Sequence, residues 1–126
     1  MATPPRIMVV DDEVGFTDLL KMNLEKKGRY EVLAENDGER CVARAREWQP
    51  DLILLDVVMP QVDGGQVLAQ LQADEQLRNV PVIFLTATIS HQGVKDRKGT
   101  IGGRPFIAKP VDIRDLSRKI DSLLGS

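Results

Sequence analysis

Short, nearly all-apolar runs with recurrent β-branched residues stand at Ile7 to Val10, Tyr30 to Ala34, Leu52 to Leu55, Val80 to Leu85 and Phe106 to Ala108. Between them lie longer segments whose apolar residues fall at helical spacing. A strand that is apolar on successive residues must be covered on both faces, which is the situation of a parallel strand packed between crossover helices. This rhythm predicts about five β/α units with right-handed crossovers, and therefore an open, doubly wound five-stranded parallel sheet of the α/β class with helices on both faces.

The helices follow from their apolar stripes and end signals. Val14 to Lys27 carries Phe16, Leu19, Leu20 and Leu24 on one stripe, and Gly28 stands where a left-handed cap is usual. Asn36 and Asp37 offer a cap for a helix from about Glu39 to Trp48, closed by Pro50. Met59, Pro60, Asp63 and Gly64 make a loop before a third helix with Val67, Leu68 and Leu71 on its apolar face. From Ser90 to Gly103 the pattern weakens, because Gly93, Gly99, Gly102 and Gly103 interrupt what alternation requires to be a fourth helix, so that helix is expected to be short or irregular. Asp112 and Asp115 resemble an acidic cap for a last helix carrying Ile113, Leu116, Ile120, Leu123 and Leu124.

Length and composition bound the rest. A chain of 126 residues, 42% hydrophobic and 29% charged, is expected to be one domain over 1–126 with a folded core of about 5–124. A net charge of −2 argues against nucleic acid or an anionic membrane as partner. The apolar runs are far shorter than the ~18–20 residues of a spanning helix, and Met1 to Arg6 has no apolar signal core. A single cysteine, Cys41, excludes an internal disulfide. The expected location is the cytoplasm.

In such a sheet the ligand site lies beyond the carboxyl ends of the strands. Asp11 and Asp12 end the first predicted strand, Asp56 the third, Thr86 the fourth and Lys109 the fifth. Singly, each has a bland reading as turn former, cap or solvated side chain. Jointly they form one rim, where carboxylates ~4 Å apart repel by roughly 4 kcal/mol per pair at an effective dielectric of 20 and need a cation. Magnesium, with its hard oxygen ligands, fits that need. Lys109 supplies further positive charge, Thr86 a hydroxyl for a phosphoryl oxygen, and Asp56 a carboxylate able to form an aspartyl phosphate. Cys41 reads as a half-buried helix residue, His91 as a lone loop histidine, Trp48 as packing, and Lys26, Lys27 and Arg29 as a solvated edge.

These residues stand within VVDDE at Val9 to Glu13, DLILLDVVMPQVDGG at Asp51 to Gly65, PVIFLTA at Pro81 to Ala87 and GGRPFIAKP at Gly102 to Pro110. The ordered set resembles the receiver domain of two-component response regulators over nearly the whole chain. The resemblance implies the flavodoxin-like strand order 2-1-3-4-5, of which receiver proteins are a standing example. It implies phosphoryl transfer from a phosphohistidine on a sensor histidine kinase or histidine phosphotransfer protein to Asp56. It further implies Asp12 as a direct magnesium ligand, Asp11 acting largely through water, and the Val58 backbone carbonyl as the remaining protein ligand. Thr86 matches the switch hydroxyl, Lys109 the lysine that pairs with the phosphoryl group, and Phe106 the aromatic that swings inward. A phosphoryl group's ~1.5–2 negative charges then bias a surface that meets a downstream protein target.

So read, the chain is not an enzyme in the ordinary sense: it catalyses its own phosphorylation and slow dephosphorylation alone. The last helix is followed by Gly125 and Ser126, so signalling is expected through protein contacts or onward phosphotransfer. The glycine-rich Ser90 to Gly103 segment and Pro105 before Phe106 depart from the family pattern and point to an unconventional output face. Val58 and Thr88 bring no acid or amide to orient attacking water, which predicts a long-lived phosphoryl state. The alternative is a pseudo-receiver that binds partners without phosphorylation, against which the five site residues stand. A haloacid-dehalogenase-type hydrolase needs a second aspartate where Val58 stands, and a nucleotide-binding loop or a flavin site is disfavoured by the acidic turn Asp11, Asp12, Glu13.

Overall fold

The structure, a computed structural model, describes residues 3–87, 100–101 and 103–125. The chain runs β1 (Arg6–Val10), α1 (Val14–Glu25), β2 (Glu31–Glu35), α2 (Cys41–Trp48), β3 (Leu52–Asp56), α3 (Gly64–Gln72), β4 (Val82–Thr86), β5 (Thr100–Ile101), β6 (Arg104–Ala108) and α4 (Ile113–Leu124). β1, β2, β3, β4 and β6 form the expected parallel sheet, and in chain order these five strands lie as 2-1-3-4-5. The addition is β5, a two-residue strand that pairs antiparallel with β6 at the sheet edge. Of the weak Ser90 to Gly103 segment, residues 88–99 and 102 lie outside the described residues, as do the expected fourth helix and His91.

Strand alternation sorts the core into two layers. Met8, Val10, Ile53, Leu55, Val82 and Phe84 pack with Cys41, Ala45, Val67, Leu68 and Leu71 from α2 and α3. Ile7, Val9, Leu52, Leu54, Ile83 and Leu85 pack with Leu20, Leu24, Leu116 and Ile120 from α1 and α4. Successive side chains of one strand thus enter opposite layers, as period-2 geometry requires.

Several expectations need correction. Leu19 is 56% exposed and leaves the predicted stripe of α1, while Leu123 turns outward on α4. Helix α1 stops at Glu25, and Lys26–Gly28 tighten into a 3-10 turn ended by Gly28 at φ +68°. Asp37 caps a 3-10 turn, Gly38–Arg40, that leads into α2, its carboxylate accepting from the Glu39 N–H; α2 itself begins at Cys41 with no side-chain cap, and Asn36 has another task. Cys41 is fully buried, and burial with nearby Glu35 pushes its thiol up to about 12, which leaves it unreactive. Arg29 is tied down by Asp121 at 2.9 Å and lies over Tyr30, so it is not simply a solvated edge.

Gly64 is where the fold sets the site most tightly. Its N–H donates to the Val57 carbonyl at 2.8 Å, and a Cβ there would lie 2.5 Å from the Asp56 carbonyl oxygen and 3.1 Å from the Phe84 ring. The Asp63–Gln66 capping box then starts α3 at that point. Gly64→Ala is expected to cost about 1–3 kcal/mol by overpacking, measured as a lowered urea midpoint.

Candidate functional site

Each strand end delivers one part of the cleft. The Asp11 N–H still donates to the Glu35 carbonyl at 3.1 Å, so β1 pairing runs into the acidic turn. Asp11 is fully buried; its Oδ1 accepts from the Glu13 N–H at 2.9 Å and its Oδ2 from Lys109 Nζ at 2.6 Å. Asp12 is exposed, and Asp56, at the end of β3, is 5% exposed. Carboxylate oxygens of Asp11, Asp12 and Asp56 lie within 4.8 Å of one another. Thr86 ends β4 and is buried, and its carbonyl accepts from the Lys109 N–H at 2.8 Å, which seats the lysine at the end of β6. Asp12, Glu13, Asp56, Val57, Val58, Thr86, Ala87 and Lys109 line a cleft of about 330 Å³.

Lys109 Nζ stands 2.6 Å from Asp11, 3.4 Å from Glu13 and 3.7 Å from Asp56. Burial pulls its pKa down, but the hydrogen bond and charge of Asp11, with Asp56 and Glu13, outweigh that and hold it above the ordinary lysine value. Asp56 is less well served. Burial first, then the charge of Asp11, push its carboxyl up to about 6 against the opposing pull of Lys109 and the Val58 N–H. The cluster therefore carries more negative charge than Lys109 offsets. Its donors are hard carboxylate oxygens gathered within 4.8 Å of one another, the ligand type magnesium takes, so the residues fit such an ion.

All five predicted rim residues come together here. Val58 sits beside Asp56 with its side chain 75% exposed. Phe106 is half-buried on β6 and packs on the α2–α3 layer; Thr88 lies outside the described residues. Sequence reading missed Asn36 and the part played by Phe16. Asn36 Nδ2 donates to the Asp11 carbonyl at 2.8 Å and to Thr17 Oγ1 at 2.9 Å, and Thr17 Oγ1 donates to the Val14 carbonyl at 3.1 Å. This clamps the acidic turn to the first turn of α1. An Asn next to an apparent cap carries no signal that separates the two tasks. Phe16, read as core stripe, places its ring 4.4 Å from Lys109 Nζ.

Fold and cleft together define an α/β protein with an acidic, lysine-bearing site at the carboxyl ends of its parallel strands. Residues 7–121 match the response regulator receiver domain family, and the chain belongs to it. It is 38% identical over 120 residues to the DNA-binding dual master transcriptional regulator RpaA of Synechocystis sp., covering 95% of this chain and 49% of that protein. It is also 38% identical over 120 residues to protein PilH of Pseudomonas aeruginosa, covering 95% and 98%. The chain thus spans about half the length of some curated relatives and nearly all of others. Among solved structures, it is similar to the receiver domain of sensor histidine kinase PA1611 of Pseudomonas aeruginosa, with TM-score 0.83 and 30% identity over 98% of this chain and 99% of that one; that protein has magnesium coordinated in its active-site cleft. Among the described residues no helix is long and apolar enough to cross a membrane.

The raised Asp56 carboxyl has a measurable cost. Its pKa rises from 3.8 to about 6 on folding, so the charged form opposes folding; the penalty is absent below about pH 4 and complete above about pH 6. Asp56→Asn is therefore expected to stabilise the metal-free protein at pH 7.5, with a ceiling of about 3 kcal/mol. Urea unfolding at pH 7.5 and 4.5 should show the gap closing at the lower pH.

Proposed function

We propose that this receiver domain is a phosphoacceptor in a two-component phosphorelay, taking a phosphoryl group from a phosphohistidine onto Asp56. What carries the reading is the convergence of Asp11, Asp12, Asp56, Thr86 and Lys109 on one cleft, with Asp56 at its floor. An Asp56 carboxylate oxygen bonds to phosphorus as the donor's N–P bond breaks, and the imidazole leaves with the electron pair and is protonated. Asp56 reacts as the carboxylate, which the cleft supports above about pH 6. Lys109 pairs with the new phosphoryl oxygens, and the Thr86 hydroxyl donates to one of them. A magnesium ion would be held by Asp12, Asp56 and the Val58 backbone carbonyl, with Asp11 acting through water, and would supply the remaining positive charge.

The added charge draws Thr86 inward, and half-buried Phe106, two places before Ala108, follows it; this changes the surface offered to a downstream protein target. Residues 5–124 act as one folded receiver unit. The partners are a sensor histidine kinase or histidine phosphotransfer protein and a protein target, with no role for nucleic acid or membrane, and the site of action is the cytoplasm. The chain catalyses its own phosphorylation and a slow dephosphorylation.

Intact-mass spectrometry after incubation with magnesium and acetyl phosphate tests this reading. Wild type is expected to gain one phosphoryl group and Asp56→Asn none; no gain by wild type makes the pseudo-receiver the better reading. Exposed, apolar Val58 orients no water toward the acyl phosphate, so Val58→Asn is expected to shorten the phosphoryl half-life severalfold, followed as loss of the added mass.

A further inference from the structure

Lys109 faces two unlike surroundings. On one side stand the carboxylates of Asp11, Glu13 and Asp56; on the other its ammonium lies 4.4 Å from the ring centroid of Phe16. Phe16 and Lys109 both line an adjoining, largely apolar recess of about 180 Å³ that also holds Leu20, Asn23, Val111 and Ile113. The lysine side chain is 11% exposed, so little water solvates its charge. An aromatic face attracts a cation through its quadrupole without offering an oxygen that would hold the N–H groups in one direction.

We propose that Phe16 is a positioning residue for Lys109, its ring holding the ammonium at the cleft wall so that it can turn from Asp11 toward a phosphoryl group on Asp56. The asymmetry of the lysine's contacts shows why such a support matters. The ammonium is 2.6 Å from Asp11 and 3.7 Å from Asp56, so phosphorylation requires it to slacken the first contact and make a new one beyond the second. With an aliphatic side chain at position 16, the ammonium is held by carboxylates alone, with Asp11 nearest at 2.6 Å, Glu13 at 3.4 Å and Asp56 at 3.7 Å, and it stays against the nearest. With the ring present, the charge stays favourable as it moves across the face. The backbone beside the ring is anchored, because the next residue, Thr17, is fully buried and is bound to Asn36 and the Val14 carbonyl.

The inference rests on phosphoryl transfer to Asp56, and the test separates the two. Phosphorylation by acetyl phosphate at saturating magnesium is compared for wild type, Phe16→Leu and Phe16→Tyr, with Phe16→Met replacing the leucine variant where that one loses its fold. Initial rates are expected to fall about 3–10-fold in Phe16→Leu and to stay within about twofold of wild type in Phe16→Tyr. In NMR spectra the Lys109 ε-methylene protons are expected upfield in wild type and Phe16→Tyr, from the ring current, and at ordinary positions in Phe16→Leu. A leucine variant as fast as wild type, or a tyrosine variant as slow as leucine, overturns the positioning role while leaving phosphorylation of Asp56 intact. Failure of wild type itself to gain a phosphoryl group overturns the functional reading and this inference with it.

Discussion

A carboxylate with no exposure keeps its charge only where a cation touches it, and for Asp11 that cation is Lys109. The two residues stand at the ends of β1 and β6, which the sheet order separates by β3 and β4. Their pairing therefore bridges the carboxyl edge over the very strands that end in Asp56 and Thr86. The contact adds a side-chain tie to a rim already held by the Asn36 bonds to the acidic turn and by the backbone bond from Lys109 to Thr86. Removing Lys109 leaves the buried Asp11 without a cation in contact, so the pair fastens the rim at the same time as it shapes the site.

The same contact leaves Asp56 underserved. Lys109 sits closer to Asp11, and the buried carboxyl of Asp56 answers by holding its proton to higher pH than an ordinary aspartate. Local stability is given up in the cleft at the carboxyl ends of the strands, and binding clefts are where proteins commonly concentrate strain of this kind.

Much of this was legible in the sequence because strands buried on both faces have a plain signature. Ile53, Leu54 and Leu55 could not sit on a half-exposed strand, and once five such runs were placed, Asp11, Asp12, Asp56, Thr86 and Lys109 fell at their carboxyl ends. What was not legible depends on long-range partners. Arg29 looks like a free basic residue until Asp121, ninety-two positions away, is brought beside it. Leu19 fits a helical stripe, yet no element of the described residues covers it. Asn36 stands in cap-like company, and its bonds to the Asp11 carbonyl and Thr17 follow from how β2 is laid against β1. The short β5 has too few residues to show any period at all.

The attachment of α4 joins the rim to the far side of the molecule. Asp112 caps the start of this helix three residues after Lys109, while Asp121, in its last turn, accepts from Tyr30 at 2.8 Å and Arg29 at 2.9 Å at the opposite end of the sheet. Held at both ends and seated through Leu116 and Ile120, the helix ties the rim beside Lys109 to the opposite end of the sheet, so two regions far apart in the molecule share one rigid member.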